Sequence, residues 1–420
     1  MPDVLFLMLL NAPSMQILWG FIRASPRMYG VFRNQRDVIL STVVTREIGH
    51  GIMGDAQSAL RSSRFNARGL LKQQALEWIA KYRAAMTSNT VSSRASLGPE
   101  ALPLWRIHQD VKFFAELFVS ERLHIVAGGF RIFSVTESTA QRDNGLDGLS
   151  NTEKMRIYRA IYRYAIYGNL FYFDEGRPGT VKSDLLYAQE QSHSFLTLFP
   201  AWQVEELSCI NDFIHDKILE KWQEVEDDFY AFLKDHPHFG DPGREDQYNS
   251  RWEDDFFSQS IKADYYEEWQ RYFATLTLSE LREIFTAKAN ALLTIVKRHA
   301  NRFPHDFLTE ALDEDPYHVT FITPEYEAHE QALESGIKVQ FQEDAIDQPN
   351  EGWLWAHRYE PCNLYIESTR DFPTGEGLRR FGYVFWDSDR LHDSGILQKE
   401  SAYPILHCKS PIVRDMLTCG

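Results

Sequence analysis

The chain has 420 residues, 44% hydrophobic and 25% charged, close to the average of globular proteins. Its 28 Phe, 19 Tyr and 10 Trp supply a large core and exclude wholesale disorder. The net charge of −16 excludes a general nucleic-acid binder, and four cysteines without a C-x-x-C pair exclude a disulfide scaffold and a zinc site of the usual spacing. Charge is also unevenly placed. Residues 1–200 carry 23 basic and 17 acidic side chains, whereas residues 201–350 carry 13 and 33. The first part suits an acidic partner, and the middle part repels DNA and anionic lipid.

Val4-Leu-Phe-Leu-Met-Leu-Leu10 is the first apolar run. A membrane span needs about 20 apolar residues, and Asn11-Ala-Pro13 interrupts far too early. A secretory signal needs a basic leader, and the only early charge is Asp3. The spacing instead predicts a short helix, with Pro2 in its first turn and Asp3 at the positive end of its dipole. Ser14 caps a second helix to about Arg23, with Met15, Leu18, Trp19 and Ile22 on one face. Ser25-Pro26 starts a third, with Met28, Val31 and Phe32 as its apolar side. Helices this short cannot bury so much Leu, Met and Trp alone, so another surface must cover part of it.

The pattern Pro2-Asp-Val-Leu-Phe-Leu-Met-Leu-Leu, Ala12-Pro13, Leu18-Trp-x-x-Ile22-Arg23-Ala-Ser-Pro26-x-x-Tyr29-x-Val31-Phe32 resembles an F-box, and is most similar to a set of fungal F-box-like proteins. Where that family opens Leu-Pro-x-Glu, this chain reads Met1-Pro-Asp. The resemblance implies docking on the Skp adaptor of a cullin-RING ubiquitin ligase through Pro2, Val4, Leu5, Leu9, Pro13, Leu18 and Ile22.

Helix is expected to continue through residues 34–85, with Val38, Ile39, Val43 and Val44 on one face and Leu70, Leu71, Leu76, Ile79, Ala80 and Tyr82 on another. The small polar stretch 87–99 reads as a flexible loop. Leu104 to Leu123 supplies further apolar turns. Ser150-Asn-Thr-Glu153 is a capping box ahead of a helix on which Ile157, Ala160, Ile161 and Tyr164 form a stripe. Arg156, Arg159 and Arg163 beside it read as a solvated basic face, with an anion site as the alternative. The longest helix is expected from Trp202 onward, its seam running Leu207, Ile210, Ile214, Ile218, Trp222, Val225, Phe229 and Phe232. Glu205 and Glu206 read as acids favoured by its N-terminal dipole.

An acidic loop follows near 239–255, and Thr277-Leu-Ser-Glu280 caps another amphipathic helix. Beyond 301, prolines interrupt brief strand-like segments: Val319–Ile322, Lys338–Phe341, Asn363–Ile366 and Tyr383–Trp386. The Ser150–Phe171 block, Trp202–Ile210 and Gly382-Tyr-Val-Phe-Trp-Asp387 also resemble the fungal set.

The expected fold is therefore mainly α. An F-box-like three-helix element occupies 1–45, a large helical body 46–300, and a small irregular α+β cap 301–420. No catalytic motif, metal set or cofactor cradle is read from the sequence. His236 and His238, and the pair Glu47 and His50, lack the spacing of a metal site, whereas Asp387-Ser-Asp389-Arg390 reads as a polar turn, with a cation on Asp387 and Asp389 or a pairing of Arg390 with either as the alternatives. Cys209 reads as core. The expected function is that of a non-enzymatic, intracellular recruiting protein. It binds a Skp-type adaptor and an unidentified protein target, with no nucleic acid and no membrane. Two readings remain beside it: a scaffold whose F-box-like helices are internal core, and an enzyme with a dispersed acidic and histidine site.

Overall fold

The computed structural model describes residues 2–65, 72–87, 97–123, 145–172, 185–235, 270–299, 307–313, 341, 343–356, 378–395 and 397. They are mainly helical, and no strand occurs among them. In chain order the helices are α1 (Pro2–Leu10), α2 (Met15–Ala24), α3 (Pro26–Asn34), α4 (Arg36–Ile48), α5 (Met53–Ser62), α6 (Lys72–Thr87), α7 (Ala101–Arg122), α8 (Asn151–Phe171) and α9 (Ala188–Phe195). There follow α10 (Ala201–Gln223), α11 (Glu226–Asp235), α12 (Leu278–Thr286), α13 (Ala289–Arg298), α14 (Leu308–Asp313), α15 (Glu351–Ala356), α16 (Leu378–Phe381) and α17 (Ser388–Ser394). No helix among the described residues is long and apolar enough to cross a membrane.

The chain forms two compact units, each assembled from distant stretches of sequence. The first comprises Met1–Phe114, Ile161–Tyr187 and Ile214–Leu308. Its core holds Leu9, Leu18, Ile39, Val43, Ile52 and Phe114, with Tyr164 and Tyr167 from the second half of α8. The Tyr164 hydroxyl donates to the Ala274 carbonyl, and the capping box at Thr277 and Glu280 is closed in both directions. Val38, Leu76 and Ala80, expected on apolar faces, point to solvent instead.

The second unit comprises Ala115–Ala160, Ala188–Phe213 and Thr309–Gly420. Phe118 is its aromatic hub, meeting Phe213 and Phe385 edge-on at 5.3 and 5.2 Å between ring centres. The capping box at Ser150 and Glu153 is closed by two 3.0 Å bonds and starts α8.

Three expectations are corrected. The seam from Leu207 to Phe232 is buried as far as Phe229, but it lies on two helices, not one. The chain turns at Glu224–Val225 and restarts at Glu226, where Glu226, Asp227 and Asp228 complement the positive end of α11. Tyr383–Trp386 is a turn, not a strand. Gly382, at φ +70°, ends α16 in a left-handed conformation, and the Phe385 N–H returns to its carbonyl at 2.9 Å. The arginines of α8 are not solvated; that helix is enclosed on nearly every side. The other three strand-like segments, except Phe341, lie outside the described residues. So do most of the 87–99 loop and the whole of the 239–255 loop.

Candidate functional site

The N-terminal helices owe their ends to a few polar side chains. The Ser14 hydroxyl accepts the Ile17 N–H at 3.3 Å and starts α2. Ser25 accepts the Arg27 N–H at 3.2 Å and starts α3, with Pro26 where a missing N–H costs nothing. Two consecutive residues of α4 then hold the turn between α1 and α2. Arg46 donates to the carbonyls of Leu10 and Ala12 at 2.9 and 2.7 Å, satisfying the exposed C-terminal end of α1. Glu47 accepts the Met15 N–H at 3.0 Å, placing an acid at the N-terminal end of α2. This anchoring role accounts for the glutamate of the Glu47–His50 pair.

The seven residues proposed from sequence to contact an adaptor divide. Leu9, Leu18 and Ile22 lie inside the bundle, where α1, α2, α3 and α4 pack on one another. Val4 and Pro13 are exposed, and Leu5 is half-buried. The Pro2 side chain lies outside the described residues. Leu7 and Met8, which the sequence reading passed over, are 55% and 42% exposed beside Val4 at 59%. At spacings i, i+3 and i+4 these three make one apolar stripe along α1. Ile17 and Tyr29 are also exposed, on α2 and α3. Periodicity could not have found the stripe, because α1 from Val4 to Leu10 is apolar on every side.

The second unit contains a buried ionic centre. Arg159 grips Glu206 with Nε at 3.0 Å and Nη2 at 2.6 Å, while its Nη1 donates to the Ile346 carbonyl at 2.6 Å. Arg379 grips Glu205 with two bonds of 2.9 Å, and the Tyr383 hydroxyl adds a third at 3.3 Å. Arg156 donates to Asp387 at 2.8 Å and to the Ala345 carbonyl at 3.1 Å. Arg390 holds Glu153 at 2.7 and 3.0 Å, and the Asp387 N–H reaches the same carboxylate at 3.0 Å. Burial pushes the Glu205 carboxyl above its ordinary range, and Arg379 beside it pulls it back down. Burial likewise raises Asp387, against the pull of Ser150 and Arg156.

No family model matches the chain, and no curated protein or solved structure does either.

These bidentate pairs correct the reading of Glu205 and Glu206 as helix-end acids. Both are enclosed, and each carries a guanidinium fork. Nor does Arg390 pair with Asp387 or Asp389; its partner is Glu153. The arrangement sews residues 344–347 and 378–390 to the starts of α8 and α10. Among the described residues no group of three or more His, Cys, Asp or Glu is placed to hold a metal. His236 and His238 lie outside the described residues. Burial drives the Cys209 thiol up, the opposite of what a thiolate nucleophile needs. In the first unit His108 is bonded to the Tyr162 hydroxyl at 2.8 Å, and burial lowers its pKa to about 4.

Proposed function

We propose that the chain is a recruiting protein that acts inside the cell. Its N-terminal helices dock on the Skp-type adaptor of a cullin-RING ubiquitin ligase, and the remaining surface holds a protein target. Joining both partners raises the effective concentration of target beside the ligase, which is the whole of the required chemistry. The observation that carries this reading is the stripe of Val4, Leu7 and Met8, left in water by a helix whose opposite side, at Leu9, is sealed. Solvent-facing apolar side chains at helical spacing give α1 a face that an apolar groove of a partner can cover.

The test is capture of a purified fungal Skp-type adaptor by the full chain. Val4→Asp, Leu7→Asp and Met8→Asp together should abolish capture and leave the melting temperature unchanged. Failure of the wild type to bind, or undiminished capture by the triple variant, rejects the reading. A scaffold whose F-box-like helices serve its own core is the second reading. It draws support from the burial of Leu9, Leu18 and Ile22 and from the anchoring of this bundle by Arg46 and Glu47.

A further inference from the structure

Tyr172, Tyr272 and His299 are distant in sequence and meet within the first unit. Tyr172 directly follows α8, its N–H on the Gly168 carbonyl at 3.0 Å. Tyr272 lies on the helical turn 270–274, just ahead of the Thr277 cap. That turn is fixed to α8 by the bond from Tyr164 to the Ala274 carbonyl. His299 closes α13, its N–H on the Val296 carbonyl at 3.0 Å. The Tyr272 hydroxyl stands 3.0 Å from His299 Nδ1 and 3.5 Å from the Tyr172 hydroxyl. Among the described residues no other side chain bonds to these three polar groups.

Tyr272 is buried, whereas Tyr172 and His299 are half-buried. One partner satisfies the buried Tyr272 hydroxyl, and water can satisfy a half-buried phenol or imidazole, so hydrogen bonding alone does not require all three to converge. Donor atoms held at about 2.0–2.2 Å from one small ion lie about 3–3.5 Å apart, and the two separations here fall in that range. The surrounding charge agrees. Glu280 favours positive charge at His299 and bears on Tyr272 as well, Glu283 adds to it at His299, and Arg298 is the opposing cation. Two oxygens, a nitrogen and nearby carboxylates suit a hard ion and not a soft one such as Cu(I). Burial favours the neutral Tyr272 phenol, so its proton yields to a highly charged ion and not to a weakly charged one.

We propose that Tyr172, Tyr272 and His299 bind a ferric ion, through two phenolate oxygens and the lone pair of Nδ1. Binding breaks the two phenol O–H bonds and forms two Fe–O bonds and one Fe–N bond. Both protons leave to solvent, and the iron keeps its oxidation state. The ligands come from the end of α8, the turn 270–274 and the end of α13, so a bound ion ties three elements of the first unit together and stabilises it. The site is independent of the recruiting reading, and each stands or falls without the other.

The experiment titrates the full chain with ferric nitrilotriacetate. The wild type should develop a visible phenolate-to-iron charge-transfer band that neither the chelate nor the iron-free protein shows. The band should saturate at a single equivalent, and the melting temperature should rise with it. Tyr272→Phe removes the central ligand and should abolish the band, whereas Tyr172→Phe should weaken it to that of a single phenolate. His299→Gln should keep the colour and weaken binding about tenfold or more, as even the loss of an outer-shell partner does. Circular dichroism of the iron-free variants checks that each one folds. Should Tyr272→Phe fail to fold, the half-buried Tyr172 carries the test alone. A wild type that stays colourless overturns the proposal, and so does a band undiminished by either tyrosine substitution.

Discussion

The first helix and the eighth invert the usual distribution of side chains. Along α1, Val4, Leu7 and Met8 stand in water, whereas α8 takes Arg156 and Arg159 out of it. The two choices have different physical standing. An exposed apolar side chain adds little cost to the folded chain, because the unfolded chain exposes it too. A buried guanidinium costs several kcal/mol in desolvation, recovered only when a carboxylate meets it in good geometry. The α8 arrangement is therefore held by the fold that surrounds it. The α1 stripe is not required by the fold, and its explanation has to be sought outside it.

The largest expected effect tests the buried side of this contrast. Arg159→Ala strands Glu206 without a counter-charge and should cost about 3–5 kcal/mol in urea unfolding. Arg159→Met with Glu206→Leu removes both charges and fills the space, so the pair should recover most of that loss. If the double variant is as unstable as the single one, the geometry of the pair matters more than its stranded charge.

Next comes a comparison within the N-terminal bundle itself. Leu18→Ala should cost about 2–5 kcal/mol, the range for deleting a fully buried leucine side chain. That cost makes Leu9 and Leu18 poor probes of partner binding, since their loss damages the bundle before any partner is tested. The stripe residues are free of that confusion.

A third expectation concerns protons. Burial holds His108 near 4 in the folded chain, against about 6.5 when unfolded. The folded state thus refuses a proton that the unfolded state accepts. The stability His108 contributes is complete above pH 6.5 and is lost as pH falls toward 4, by about 3 kcal/mol in total. Glu205 has the opposite sign. Its raised carboxyl takes up a proton more readily when folded, so its share of stability grows as pH falls toward the ordinary carboxylate range. His108→Gln should flatten the loss between pH 6.5 and 4, as followed by thermal melting across that window. An unchanged slope would mean that His108 is not the group responsible.

How much of this was legible in the sequence depends on how local the cause is. Ser14, Ser25, Ser150 and Thr277 act on N–H groups two or three residues ahead, and all four helix starts were readable from those neighbours. The Arg156, Arg159 and Arg163 spacing was equally visible, but it looked like a basic face. Their partners Asp387, Glu206 and Asp55 stand 231, 47 and 108 positions away, and nothing near the arginines announces them. The division of α1 into a sealed Leu9 and an open Leu7 was hidden for another reason. From Val4 to Leu10 every residue of α1 is apolar, and the packing of α3 and α4 decides which side is inside. The strand-like Tyr383–Trp386 shows the same limit. Its β-prone residues are all buried, but Gly382 turns the chain, and among the described residues no second strand stands beside them.

Local causes should also have small, local costs. Ser14→Ala removes one cap and should lower stability by about 1 kcal/mol, measurable as a shift in the urea midpoint. The Glu47 carboxylate, bonded to the neighbouring Met15 N–H, should keep α2 in place.

The smallest effect is the most informative about α1. Val4→Ser, Leu7→Ser and Met8→Ser should each change stability by no more than about 0.5 kcal/mol, as surface substitutions do. Such a null result in stability has content only beside a change elsewhere. Removing an apolar stripe that the fold does not use should raise the protein concentration at which light scattering reports association. If instead the three serines cost as much as Leu18→Ala, the stripe is covered by the chain itself in solution. The contrast between an outward α1 and an inward α8 would then dissolve into two buried helices. If stability holds and scattering falls, the stripe is surface the chain exposes without needing it for its own fold.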